Sequence, residues 1–221
     1  MSSNLTTAEE DYLKAAYHLQ KPEGMVTTNE LAAELQTKAA SVTDMLKRLK
    51  QKKLLNYKPY YGFSLTAEGR KMALNIVRRH RLWESFLVDK LKFGWDEVHE
   101  VAEELEHVSS KKLIDKLDAY LAFPRFDPHG DPIPDSNGKI QTPNYICLCE
   151  LQLNKLSEVT SVKDQSSELL ELLSHKNIGI GTRLEVKKRF SFDSSIEVKI
   201  KNHAAVNLSK QLAEVLFVKL V

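Results

Sequence analysis

Apolar side chains recur at helical spacing in three successive segments at the start of the chain. The first segment opens at Thr6 or Thr7, with acidic residues in its first turn, and the second opens at Thr28. The third covers residues 41–53. Its apolar stripe consists of Val42, Met45, Leu46 and Leu49. This periodicity predicts three amphipathic helices, the second of them short.

A pair of short β-prone runs follows the third helix. Residues 54–58 and 63–66 flank the turn-forming sequence Pro59-Tyr60-Tyr61-Gly62, which predicts a hairpin. A short helix, a brief turn, a longer helix and then a hairpin are the elements of a winged helix-turn-helix, in the order in which that fold uses them.

The remainder of the chain changes its period twice. A helix is predicted from Thr66 past Arg79, and residues 108–121 carry a leucine stripe that suits pairing with a second copy or burial within the monomer. Residues 123–143 contain five prolines and two glycines, which predict a turn-rich linker. From Tyr145 onward short runs alternate as in a small β-barrel. We therefore expect a mainly α protein with a small β domain, divided into residues 1–73, 74–144 and 145–221.

The charge is distributed in blocks. From Lys38 to Arg81 there are twelve Lys or Arg against two acids, whereas from Glu84 to Glu106 there are eight acids against two lysines. The basic block coincides with the helix-turn-helix, so we expect double-stranded DNA as its partner. A basic helical hairpin without a nucleic acid partner is the alternative. The candidate DNA-binding residues are Thr28, Lys38, Ala39, Ser41, Thr43, Asp44, Lys47, Arg48 and Tyr60.

The acidic block contains histidines at helical spacing. His80 and Glu84 stand at i and i+4. A second set at i, i+4, i+7 and i+8 consists of His99, Glu103, Glu106 and His107. On one helix the second set would lie within an arc of about 100°. Carboxylates crowded on one face are stabilised by a cation, so the pattern favours a divalent metal site over the alternative of a solvated acidic face.

Other features exclude several classes of protein. No apolar run approaches the roughly eighteen residues of a membrane span, and the first residues lack the basic and apolar regions of a signal peptide. Cys147 and Cys149 are too few and too close for a disulfide framework or a CxxC site, and we expect them at alternate positions of a strand. The expected location is the cytoplasm, without a membrane partner. No nucleophile elbow, Walker loop or Rossmann fingerprint occurs.

Three motifs, HRLWE, VHEVAEELEH and FDPHGDPIP, together with the winged helix, give a resemblance along the whole chain to the diphtheria toxin repressor family of metal-dependent regulators. The resemblance implies an SH3-like C-terminal domain, helical dimerisation, and metal-dependent binding to operators of metal-uptake genes. It also implies up to two metal sites per protomer. The primary site would contain Asp11, Glu103, Glu106 and His107. The ancillary site would contain His80, Glu84 and His99, completed by Asp164 from the SH3-like domain.

The carboxylates at Asp11 and Glu103 resemble the manganese-sensing members, where iron-sensing members have Met and Cys. Oxygen and imidazole donors suit Mn²⁺ and Fe²⁺, so Mn²⁺ is the first expectation and Fe²⁺ the alternative. Three departures from the family pattern stand out. Lys14 replaces a glutamate that joins a two-metal cluster in short manganese regulators, and Asp44 lies in the recognition helix, where a neutral or basic residue is usual. Ser161 and Asp164 stand at about the positions of the donors from the SH3-like domain, and only Asp164 has a suitable side chain.

We expect a metal-activated, homodimeric transcriptional repressor and not an enzyme. The alternative from another class is a di-metal hydrolase, because His/Glu clusters also build such sites. A second alternative is a constitutive DNA-binding protein whose His/Glu face is only structural.

Overall fold

The structure, a computed structural model, describes residues 5–20, 25–141, 144–201 and 203–221. It divides into two compact units. The first unit comprises residues 1–80, 104–111 and 134–140. The second comprises residues 81–103, 112–133 and 141–221.

The first unit is a winged helix-turn-helix, as the sequence predicts. Its elements are α1 (Thr7–Leu19), α2 (Thr28–Glu34), α3 (Ala39–Gln51), β1 (Leu55–Lys58), β2 (Gly62–Leu65) and the first part of α4 (Ala67–Leu91). Capping boxes open α1 and α2, in which Thr6 pairs with Glu9 and Thr27 with Glu30. β1 and β2 pair antiparallel, with Lys58 opposite Gly62 at the turn.

The stripe predicted on α3 forms the centre of this unit. Val42, Leu46 and Leu49 are fully buried and pack in one cluster with Leu13 of α1 and Phe63 of β2. Burial of this face leaves the opposite side of α3 at the surface, where the candidate DNA-binding residues Ser41, Asp44, Lys47 and Arg48 are exposed.

The second unit begins with the latter part of α4 and continues with α5 (Val98–Leu105) and α6 (Lys111–Tyr120). Leu82, Ile114 and Leu117 form a small buried cluster with Ile133 of the Pro-rich segment. The helix predicted over residues 108–121 therefore exists and begins three residues later.

A six-stranded antiparallel sheet follows in the same unit. It contains β3 (Ile146–Cys147), β4 (Ser157–Val162), β5 (Arg183–Arg189), β6 (Ile196–Ile200), β7 (Ala205–Leu208) and β8 (Leu216–Leu220). The strand order is β3-β8-β4-β5-β6-β7, and α7 (Ser167–His175) and α8 (Lys210–Val215) accompany it. This confirms the expected mainly α protein with a small β domain.

The two cysteines differ from the prediction. Cys147 ends β3, but Cys149 lies in the 3-10 turn Leu148–Glu150, so they do not occupy alternate positions of one strand. The structure joins them by a disulfide bond.

The Pro-rich segment is an ordered loop where it passes the β domain. Asp127 and Asp131 close a turn through a backbone hydrogen bond, and the His129 carbonyl accepts one from Val162 N. Gly130 lies against β4 so closely that a Cβ there would be 1.8 Å from the Thr160 carbonyl oxygen. The predicted linker is thus bound to the sheet, and this holds His129 in the interior of the second unit.

Among the helices that the structure describes, none is long and apolar enough to cross a membrane.

Candidate metal centre and nucleic-acid interface

Three of the predicted ligands meet in the first unit. Donor atoms of Asp11, Glu106 and His107 all lie within 4.8 Å of one another, and we call this set the first cluster. His107 Nε2 is 3.2 Å from Asp11 Oδ1 and 3.9 Å from Glu106 Oε1. Asp11 comes from α1, whereas the other two follow α5 by one and two residues. Two carboxylates and an imidazole are donors that suit a hard or borderline divalent cation.

The prediction that a single helix face carries all four residues from His99 to His107 is wrong. α5 ends at Leu105, and the Arg79 guanidinium donates a hydrogen bond to the Glu106 carbonyl. That carbonyl is therefore satisfied without a further helical turn. Glu106 and His107 lie beyond the helix, in the turn that follows it, and their side chains contact Lys14 and Asp11 of α1.

Glu106 is fully buried and strongly neutralised. His80 Nδ1 lies 2.7 Å from its Oε2, and Lys14 Nζ lies 2.7 Å from Oε1 and 2.8 Å from Oε2. Burial opposes ionisation, but the hydrogen bond with His80 and the charge of Lys14 outweigh it, and the pKa of Glu106 is lowered. His80 thus contacts the first cluster through Glu106.

Glu10 is a residue of this centre that the sequence reasoning missed. Its Oε2 lies 2.8 Å from His107 Nδ1, and its Oε1 accepts a hydrogen bond of 2.7 Å from Arg79. A carboxylate on Nδ1 fixes the imidazole so that Nε2 faces Asp11. From the sequence, Glu10 is simply an acid in the first turn of a helix. Its position directly before Asp11, a predicted ligand, was the one available signal.

A second set lies inside the second unit. Donor atoms of Glu84, Asp127 and His129 lie within 4.8 Å of one another, all three residues are buried, and we call them the second cluster. From the sequence, His129 and the aspartates of the Pro-rich segment could bind a metal, but the surrounding Pro and Gly indicate turn formers first, so Asp127 and His129 are not among the predicted site residues. Burial by the Pro-rich loop, which no local pattern reveals, makes them candidates.

The imidazole of His129 is oriented as a ligand. Its Nε2 lies 2.7 Å from the Trp95 carbonyl, which can only accept, and its ring stacks on that of Trp95. In the neutral imidazole, Nδ1 then carries the lone pair. Nδ1 is 3.7 Å from Glu84 Oε1, and although burial opposes protonation, the interaction with Glu84 raises the pKa of His129. In the metal-free protein a proton on Nδ1 faces the carboxylates, and a bound cation would replace it.

The charge balance of this cluster supports the same fit. Burial and the neighbouring charges of Glu84 and Asp131 raise the pKa of Asp127 to about 7, although Arg81 Nε lies 3.3 Å from its Oδ2. Buried acids crowded in this way bind either a proton or a metal cation.

The remaining predicted ligands have different surroundings. His99 Nδ1 is 3.3 Å from Glu84 Oε1, and its Nε2 is 3.5 Å from Glu103 Oε1. Hydrogen bonds with Glu103 and Glu84 raise the pKa of His99 to about 9. Asp164 is exposed, and its Oδ1 accepts a hydrogen bond from Ser166 N at the start of α7. The assignment of Glu103 to the primary site remains a prediction, as does the ancillary site of His80, Glu84, His99 and Asp164.

The exposed side of α3 and the hairpin form the candidate nucleic-acid interface. The residues of this set that are exposed are Lys38, Ala39, Ser41, Asp44, Lys47, Arg48 and Tyr60. Thr28 and Thr43 are half-buried, and the Thr43 hydroxyl donates to the Ala39 carbonyl. Asp44 Oδ1 lies 3.2 Å from Lys47 Nζ, so its charge is partly compensated. Tyr60 projects from the tip of the hairpin and is fully exposed.

An aromatic surface occupies the helical part of the second unit. Trp83 contacts Phe86 edge-on, with ring centroids 5.9 Å apart, and Phe86 lies 6.2 Å from the exposed Tyr120. The Lys90 ammonium lies over the Tyr120 ring. Trp83 and Phe86 are half-buried against the Leu82 cluster, and Tyr120 is exposed beside them. Aromatic side chains that are partly accessible in this way are common at protein–protein contact surfaces.

Comparisons with known proteins cover the whole chain. Profiles described as the N-terminal DNA-binding domain and the metal-binding and dimerisation domain of iron dependent repressors match residues 4–63 and 66–135, and a FeoA domain profile matches residues 146–220. The diphtheria toxin repressor of Corynebacterium efficiens is 30% identical over 83% of this chain and 84% of that protein. The regulator MntR of Oceanobacillus iheyensis is 32% identical over 51% of this chain and 76% of its own. A solved manganese-dependent transcriptional repressor in complex with manganese has a TM-score of 0.87 and 35% identity, over 96% of this chain and all of that one.

Proposed function

We propose that this chain, which belongs to the diphtheria toxin repressor family of metal-dependent transcriptional repressors, binds operator DNA as a homodimer when Mn²⁺ occupies the first cluster. The observation that carries the proposal is that Asp11, Glu106 and His107 come together in the same unit as α3, the expected recognition helix. Members of this family are DNA-binding regulators and not enzymes, which argues against the alternative of a di-metal hydrolase.

Manganese is the first candidate for the bound metal, on the donor set together with the description of a structural relative. Two carboxylates and an imidazole, without a thiolate, suit Mn²⁺ and Fe²⁺ rather than softer ions. The structural relative named above is described as manganese-dependent, whereas two matching profiles are described as iron dependent. Fe²⁺ is therefore the second candidate, and the same donors would hold it.

Contacts within the first unit connect the first cluster with the recognition helix α3. The bound ion would add positive charge beside Asp11 and Glu106. Asp11 lies on α1, and the neighbouring Glu9 accepts a hydrogen bond of 2.7 Å from Lys52, directly after α3. Ordering α1 by its carboxylates thus also restricts α3. Ordering before association lowers the entropic cost of DNA binding, and a coupling of about 1–3 kcal/mol would change operator affinity roughly 5–150-fold.

Dimerisation would place the two recognition helices, one from each protomer, on successive half-sites of an operator. We assign the interface to the aromatic surface of Trp83, Phe86 and Tyr120, because these rings contact one another, remain partly accessible and lie within the region that matches a dimerisation domain. Metal-uptake genes as targets and a cytoplasmic location belong to the same proposal.

The second cluster is proposed as a further metal site of each protomer. Its support is the burial of His129 with Nδ1 3.7 Å from Glu84 Oε1, together with the raised pKa of Asp127. His99 contacts Glu84 and is a candidate for the same shell.

The experiment that tests the proposal is a gel-shift titration on an operator recovered from a random duplex pool. Binding is measured with chelator and with Mn²⁺, Fe²⁺, Zn²⁺ and Co²⁺ in parallel. Asp11→Ala and His107→Ala should lose the response to Mn²⁺, whereas the controls Asp193→Ala and His175→Ala, both at exposed positions, should retain it. An unchanged response of the two cluster variants, or equal binding with chelator, would contradict the proposal.

A further inference from the structure

The two cysteines of the chain are joined at the start of the β domain. Cys147 ends β3, Cys149 lies in the 3-10 turn that follows, and Leu148 is the one residue between them. Both cysteines are half-buried, whereas Leu148 is fully buried in the core of the β domain. A disulfide stabilises a fold mainly by closing a loop in the unfolded chain, and this one closes a loop of a single intervening residue. The bond therefore adds little to stability, which directs attention to its chemistry.

Cys149 lines a cavity of the β domain. The volume of the cavity is about 350 Å³, and small-molecule sites occupy roughly 300–1,000 Å³. The described residues that line it include two cations, Arg189 and Lys210, and one carboxylate, Glu214. Two serine side chains and a phenylalanine ring line it as well. A small anionic molecule in this cavity would thus lie beside Cys149 and be attracted by the excess of positive charge.

Arg189 is fixed directly beside the cysteines. Its Nη2 donates hydrogen bonds to the carbonyl oxygens of Leu148 and Leu151, at 3.4 and 2.6 Å. These carbonyls precede and follow Cys149 in the chain, so they hold the guanidinium charge close to it. A cation near a cysteine favours the thiolate, which is the form that attacks a disulfide.

Cys147 has different surroundings. Its Sγ lies 3.5 Å from the carbonyl oxygen of Ala213 and 3.9 Å from that of Glu214. When Cys147 is reduced, these oxygens accept from its thiol and disfavour a negative charge on its sulfur. The backbone N–H of Cys149 donates to Cys147 Sγ at 3.3 Å, which keeps the two cysteines adjacent. Cys149 is therefore suited to attack a molecule in the cavity, and Cys147 to react afterwards.

We propose that Cys147 and Cys149 form a thiol–disulfide exchange site for low-molecular-weight disulfides that carry carboxylates. The Cys149 thiolate attacks one sulfur of such a disulfide, whose other half leaves as a thiolate. Cys147 then loses its proton and attacks Cys149 Sγ, which forms the bond seen in the structure and releases the second half. Two protein thiols are oxidised, and one small disulfide is reduced to two small thiols that take up the two protons. An excess of the small thiol runs the same steps in reverse.

The exchange is measured on the full chain in the presence of a chelator, so its outcome is independent of the proposed binding of metal and DNA. Because the sequence contains two cysteines, every thiol titrated with a chromogenic disulfide reagent belongs to this site. The reduced protein should lose both thiols in excess oxidised glutathione, gain an internal disulfide by mass spectrometry, and recover both thiols in excess reduced glutathione. Two thiols that persist in oxidised glutathione, or a glutathione attached to each cysteine, would overturn the proposal.

Variants with one cysteine separate the two roles. Cys147→Ser should accumulate one glutathione on Cys149, because no second thiol displaces it. Cys149→Ser should react roughly tenfold more slowly, since the cation beside Cys149 no longer acts on the attacking sulfur. Equal rates for the two variants would overturn the assignment of Cys149 as the nucleophile. If either variant unfolds, partial oxidation of the unaltered chain followed by alkylation and peptide mapping identifies the cysteine that reacts first.

A change of charge in the cavity tests the class of substrate. Lys210 is exposed at the start of α8, and its Nζ lies 3.7 Å from Glu214 Oε1. Lys210→Glu should slow oxidation by glutathione disulfide roughly tenfold and accelerate oxidation by cystamine, which carries the opposite charge. The matched control Lys201→Glu, at an exposed position that does not line the cavity, should change neither rate. Rates in Lys210→Glu that equal those of the unaltered chain for both small disulfides would refute a role of the cavity and overturn the proposed substrate class.

Discussion

Gly130 offers a sharp test of the loop that buries His129. Its φ is +85°, a left-handed value, and a Cβ there would lie 1.8 Å from the Thr160 carbonyl oxygen and 2.7 Å from Ser161 Cα. These atoms belong to the backbone of β4, which cannot swing aside as a side chain could. Gly130→Ala must therefore shift either the loop or the strand.

The chain supplies matched controls for the two effects. Gly181 has φ +84° with nothing within 4 Å of its Cβ position, and Gly179 is equally open without a left-handed backbone. A left-handed residue with a Cβ costs about 1–2 kcal/mol, and the reduced entropy of the unfolded chain returns about 0.4–1 kcal/mol. Gly181→Ala should thus destabilise by roughly 1 kcal/mol. Gly179→Ala should be neutral or slightly stabilising.

Gly130→Ala adds the cost of overpacking against a backbone, about 1–3 kcal/mol. At roughly 2–4 °C per kcal/mol for a chain of this size, its unfolding midpoint should fall several degrees further than that of Gly181→Ala. Circular dichroism melting of the metal-free proteins measures this difference. Equal midpoints for Gly130→Ala and Gly181→Ala would refute the close contact between loop and strand.

Three further outcomes are expected. Hydrogen bonds with Glu103 and Glu84 raise the pKa of His99 to about 9 in the metal-free protein. The protonated imidazole therefore stabilises the fold fully below pH 6.5, its pKa in the unfolded chain, and this stabilisation is lost as pH rises through about 9. Titration of the ring protons by NMR measures the pKa, and a value near 6.5 would contradict the expectation. Lys52→Met should lower the free energy of unfolding of the first unit by roughly 1–3 kcal/mol, because it leaves the carboxylate of Glu9, only 7% exposed, without its partner. Adding Glu9→Gln should recover part of that free energy in urea unfolding, whereas strictly additive losses would disprove the interaction between Lys52 and Glu9. Tyr60→Asn, which tolerates the positive φ of +70°, should leave stability unchanged and weaken operator binding; equal binding would remove the hairpin tip from the interface.

The periodicity of the sequence was sufficient to predict the helices and strands of the fold. The capping pattern from Thr6 to Glu9 and the buried stripe of α3 are local properties, because neighbours along one helix determine them. The hairpin after α3 and the alternating strands of the β domain follow from local patterns in the same way. Spacing also identified Glu106 and His107 as candidate ligands, whereas Asp11 entered only through the resemblance to a known family.

Spacing did not determine how the donors are combined. Glu106 and His107 leave the helical face because Arg79, distant in sequence, satisfies the Glu106 carbonyl where α5 ends. Glu10 joins the centre through His107 and Arg79. No pattern along α1 predicts these contacts, since each depends on a partner from another part of the chain.

The second cluster shows the same division most clearly. From sequence, FDPHGDPIP is a turn-rich segment, and that is what its composition determines. Only the tertiary structure packs Gly130 against β4 and encloses His129 with Glu84. A residue type determines which atoms can bind a cation, but burial and the orientation of the imidazole arise from long-range packing, which local sequence does not encode.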